Sequence, residues 1–94
     1  MSQRTDAALA ALDRLSTFLA DLPDATVRER LTAHMDALRR AVAAFHMEAI
    51  RFRMYSVDRD LRNAGDPPLI RSRFEELRHA LEALGFQTRS ISAP

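Results

Sequence analysis

Apolar residues in this chain recur three and four positions apart through three stretches, and each stretch predicts an amphipathic helix. The first covers Thr5 to Leu22, where Ala8, Leu12, Leu15, Leu19 and Leu22 form a stripe that Ala11 and Phe18 widen. The second covers Ala25 to Arg62, with Val27, Leu31, Met35, Leu38, Val42 and Phe45 on one face. The third covers Pro67 to Leu84, with Ile70, Phe74, Leu77, Leu81 and Leu84 on a single narrow face. The pattern predicts an all-α chain of three helices at 5–22, 25–62 and 67–84, ordered short–long–short. Neither Gly nor Pro interrupts the central stretch, which at about 1.5 Å per residue makes a rod of about 55 Å.

The turns follow from residue chemistry. Pro23 disfavours helix at Leu22, and Asp24 is suited to cap the helix after it. So short a link sets the first two helices antiparallel. Asn63-Ala64-Gly65-Asp66-Pro67-Pro68 is the strongest turn signal. There Asn63 or Gly65 can take a left-handed backbone, Asp66 can cap, and Pro67 suits a first helical position. Thr5 is the expected first N-cap, with Asp6 favourable in the first turn. Arg71–Glu75 and Arg78–Glu82 are expected ion pairs on the outer face of the last helix. Gly85 is the expected helix stop, with Phe86 folding back on Leu81. Residues 87–94 read as a loose tail, so that 1–86 form a single helical domain.

The centre of the rod changes this picture. Across Ala41–Val57 the apolar side chains fall into two stripes on nearly opposite faces. Phe45, Ala49 and Phe52 form one; Met47, Ile50, Met54 and Val57 form the other. The first fades into Ser56, Arg59 and Asp60, and the solvated face lies earlier, at Glu29, Thr32, Asp36, Arg39 and Arg40. In a three-helix chain each short helix covers one stripe and neither covers the overlap. A second copy crossing the same point would complete a coiled-coil-like helical bundle, so a symmetric homodimer is expected through Phe45, Ala49, Phe52, Met47 and Ile50. The competing arrangement is a kink near His46 that gives a monomeric four-helix bundle, although no Gly or Pro marks one there.

Composition narrows the chemistry. Ninety-four residues with no Cys allow one domain and exclude disulfides and thiolate metal sites. No segment has the apolar length of a membrane span, and the N-terminus lacks signal-peptide character, so a cytoplasmic location is expected. The net charge of +1 argues for no strongly charged partner. Every basic residue is Arg, in keeping with a GC-rich genome. Arg51, Arg53, Arg59, Arg62, Arg71 and Arg73 bracket the second turn, and these are the candidate phosphate contacts of a less favoured, nucleic-acid-associated reading.

No constellation points to catalysis. His34 sits at the edge of the first stripe, His46 and Glu48 are too close in sequence to share a metal, and His79 faces away from its stripe. Tyr55 and Ser56 have no base at a useful spacing, and no phosphate-binding glycine loop occurs. The expected function is therefore non-catalytic, without cofactor or metal: a small adaptor, chaperone-like or regulatory protein that binds its own copy and another protein.

Overall fold

The computed structural model describes residues 3–85, which form four α-helices and, among the described residues, no strand. They are α1 (Gln3–Leu19), α2 (Ala25–Ala43), α3 (Met47–Asn63) and α4 (Pro68–Glu82). The expected single helix over 25–62 is thus two helices, and the three-helix arrangement is corrected to four. The kink near His46 is real and is sharper than a bend.

The break is a complete helix stop built without glycine. Ala44 is the C-cap of α2, and Phe45 after it has a left-handed backbone with φ of 54°. The Phe45 amide donates to the Val42 carbonyl at 3.1 Å, and the His46 amide donates to the Ala41 carbonyl at 2.9 Å. Those two bonds are the Schellman pattern. His46 then caps α3 at once, its Nδ1 accepting from the Ala49 amide at 3.3 Å. One residue closes one helix and opens the next, so the chain reverses without a loop.

The reversal settles which stripes are buried. α2 packs on α1 and α3, and α1 packs on α4. Leu31, Met35, Leu38 and Val42 of α2 and Ile50, Met54, Val57 and Leu61 of α3 enter one core. That core also holds Leu12, Leu15 and Leu19 of α1 and Phe74, Leu77 and Leu81 of α4. Two stripes that oppose each other on a straight rod face the same interior once the rod is folded back.

The other ends follow similar rules. Asp24 caps α2 as expected, its Oδ1 accepting from the Thr26 amide at 2.9 Å and the Val27 amide at 3.1 Å. Gly65 is left-handed, with φ of 88°, and Gly85 also, with φ of 100°. Asp66 does not cap α4. It too is left-handed, its amide donates back to the Leu61 carbonyl at 2.8 Å, and its carboxylate pairs with Arg71. Pro67 stands at the N-cap without a side-chain bond. Thr5 is likewise not a cap, because α1 already begins at Gln3. Arg78 pairs with Glu75 rather than Glu82. The expected Phe86 contact and the 87–94 tail lie outside the described residues. Among those described, no helix is long and apolar enough to cross a membrane.

Candidate interaction surface

Filling the core from one stripe of α3 leaves the other outside. Ile50 is fully buried, while Met47 and Ala49 are half-buried against the core. Phe45 and Phe52 remain 54% and 53% exposed, although each carries a large apolar ring. Phe45 stands at the α2–α3 corner, and Phe52 lies six residues into α3 counted from its cap, about 9 Å along the axis. Of the five residues expected at a dimer interface, Phe45, Ala49, Phe52 and Met47 therefore keep surface at one end of the bundle. Ile50 belongs to the interior.

Charges of both signs flank this surface. Glu48 accepts from Arg51 at 2.8 Å, and that bond holds its carboxyl below the usual range. The Arg53 guanidinium lies over the Phe52 ring, 5.1 Å from its centroid. Such a contact is worth about 0.5–1 kcal/mol at an exposed site.

Behind Arg53 is a polar cluster between α2 and α3 that the periodicity does not reveal. Asp60, where the first apolar stripe fades, is only 3% exposed, and Ser56, one turn before it, is buried too. The Ser56 hydroxyl donates to the Phe52 carbonyl at 3.0 Å, which satisfies it within its own helix. Asp60 Oδ1 accepts from Arg59 Nε at 3.3 Å, and its Oδ2 stands 3.4 Å from His34 Nε2. The latter is a close approach outside hydrogen-bonding geometry, and it becomes an ion pair only when the imidazole is protonated. His34 Nδ1 is 3.1 Å from Arg53 Nη1. A guanidinium can only donate, so Nδ1 accepts and the imidazole proton sits on Nε2, toward Asp60. Burial lowers the His34 pKa; Asp60 opposes that, while Arg53 and Arg59 add to it.

The six arginines expected as phosphate contacts are engaged within the chain, and Arg62 and Arg71 meet on Asp58. Arg51 pairs with Glu48, Arg59 with Asp60, Arg62 with Asp58, and Arg73 with Glu76. Arg53 is held by His34. Arg71 bonds Asp58 at 2.7 Å and Asp66 at 2.6 Å, tying α4 to α3 and to the turn between them. Burial alone would lower the Arg71 pKa, but those two carboxylates outweigh it and raise it. Arg59, Arg71 and Arg73 also lie over the rings of Tyr55, Phe74 and Phe18. In this fold the all-Arg composition serves carboxylate pairing and ring stacking, both of which favour a planar guanidinium.

At the opposite end of the bundle both proline turns border a groove of about 350 Å³ lined by Phe18, Leu22, Pro67, Leu69 and Ile70. Leu69 is exposed there. His79 is exposed, as its spacing implies. Among the described residues, no group of three acidic, His or Cys side chains could hold a metal ion. Comparison with protein-family models, curated proteins and solved structures finds no match to this chain.

Proposed function

We propose that this protein is a non-catalytic helical interaction module that works as a homodimer through the Phe45–Phe52 surface at the α2–α3 corner. One observation carries the reading: a bulky aromatic residue occupies a left-handed backbone position and keeps its ring in solvent. A left-handed conformation costs a non-glycine residue about 1–2 kcal/mol. Leaving two Phe rings half in water forgoes burial worth about 1.5–3 kcal/mol for a full side chain. Helix closure alone needs neither, since glycine ends α3 by the same bonds. Strain of this kind collects at functional positions.

The choice of a second copy as partner rests on self-complementarity. Phe45, Ala49 and Phe52 carry apolar area, while Glu48 and Arg51 set opposite charges on the flank. A two-fold axis brings such a patch onto itself, ring on ring, with the neutralised Glu48–Arg51 pairs at its rim. The non-catalytic part rests on the polar cluster, where the His34–Asp60 pair faces Arg53 rather than a nucleophile and the Ser56 hydroxyl is occupied. Phosphate binding by the arginines has less support, because each candidate guanidinium already has a partner in the chain.

Sedimentation equilibrium tests this reading. The wild type is expected to dimerise at micromolar concentration, and Phe45→Gly with Phe52→Ser to give a folded monomer. A wild type that stays monomeric at that concentration removes the proposal.

A further inference from the structure

We infer that acid weakens self-association at this surface through a three-residue relay, in which His34 accepts from Arg53 and Arg53 lies over Phe52 as part of the contact. The inference rests on the homodimer proposed above and adds its regulation.

Arg53 stands between two unlike neighbours. On one side its Nη1 donates to His34 Nδ1 at 3.1 Å; on the other its guanidinium lies 5.1 Å from the centre of the Phe52 ring. The acceptor is a lone pair on neutral imidazole. A second proton on that ring turns Nδ1 into a donor, so the bond is lost and two cations are left face to face. Every charged group facing His34 comes from α3: Arg53, Arg59 and Asp60. α1, the other helix against α2, directs Asp13 to Arg39 instead. On α2 itself, Arg30 stands one turn before His34 and adds positive charge.

The direction of the effect follows. Asp60 is buried, with Oδ2 3.4 Å from His34 Nε2 and free of hydrogen bonds, so it retains the imidazolium. Arg53 is half-buried and has a route to solvent, so it is the group that gives up its bond. The guanidinium lies over the Phe52 ring in both states; what protonation takes away is its imidazole acceptor, and what it adds is a second cation beside it. In a two-fold dimer a guanidinium without that acceptor must give up water at an apolar contact with nothing to replace it, which disfavours association. Burial keeps His34 neutral at neutral pH, so the relay operates on acidification below the ordinary imidazole value of 6.5.

The test has two readouts on the full chain. NMR titration of labelled protein should show the His34 ring and the Arg53 Nε–H signal changing with one midpoint. Sedimentation at about pH 7.5 and about pH 5.5 should show dimer affinity falling about tenfold on acidification in the wild type. His34→Gln retains an acceptor for Arg53 and cannot gain the proton, so its affinity should be equal at the two values. Circular dichroism at both values confirms that each protein is folded. An equal loss of affinity in His34→Gln would assign the effect elsewhere and overturn the relay. A wild-type dimer indifferent to pH overturns the relay and leaves the dimer standing. Coupled titration in a protein that is monomeric throughout removes the dimer and, with it, the regulation.

Discussion

Phe45 and Gly65 hold the same place in the same backbone motif. Each follows an alanine C-cap, each has positive φ, and each donates its amide to the carbonyl three residues back. The next residue, His46 or Asp66, donates in turn to the carbonyl five residues back. Glycine takes this conformation without steric cost, whereas phenylalanine is held in it by the packing of the helices on either side.

Phe45→Gly is therefore expected to stabilise the fold by about 1 kcal/mol while weakening self-association. For a domain of this size that corresponds to a rise in Tm of about 4–8 °C. Thermal melting of Phe52→Ser with and without the change, at a concentration where sedimentation finds both monomeric, isolates the strain. A drop in Tm would show that the Phe45 ring contributes more to the fold than its backbone costs.

Phe74 and Phe52 are the same residue in opposite circumstances, one buried and one 53% exposed. Phe74→Ala should cost about 3–5 kcal/mol and leave the chain close to unfolding. Phe52→Ala should cost about 1 kcal/mol or less in stability and act instead on association. Urea denaturation of both variants gives the comparison.

Capping separates the two central helices. Asp24→Ala removes the acceptor of two α2 amides and should cost about 1 kcal/mol. His46→Asn places a stronger capping residue at the start of α3 and should match or exceed wild-type stability. Chemical denaturation reads both, and a marked loss in His46→Asn would mean that the imidazole does more than accept from Ala49.

The folded His34 pKa lies below its ordinary value because burial disfavours the charged ring. The unfolded chain therefore binds the proton more readily than the folded one. Stability from this group is fully present above 6.5 and is lost as pH falls from there through the lower folded value. Denaturation midpoints measured across that window should decline in the wild type. His34→Gln should lack this component.

Arg71 joins Asp58 and Asp66, so Arg71→Met should leave two carboxylates without their shared partner. A loss of about 1–3 kcal/mol is expected, and most of it should remain in Arg71→Lys, which cannot bridge both acids in one plane. Replacing Arg62, an exposed partner of Asp58, should cost well under about 1 kcal/mol.

The sequence by itself determined the helical class, the faces of α1, α2 and α4, the Asp24 cap and the turns at Pro23 and Gly65. Each depends on residues within one or two turns of one another, where spacing and backbone preference act directly. Only the tertiary structure decided that the central rod breaks at Phe45. Locally the break is unfavourable, and no nearby residue signals it. It is offset by burying Ile50, Met54, Val57 and Leu61 in the core shared with the other helices, which exists only once the chain has folded back. The same reversal sets Asp60 opposite His34, twenty-six positions away, and gathers polar side chains into a cluster that spacing along one helix cannot reveal. It also divides the two apolar stripes of Ala41–Val57 into one that fills the core and one that remains at the surface. Periodicity identifies both stripes, but which one is covered depends on where the other helices lie.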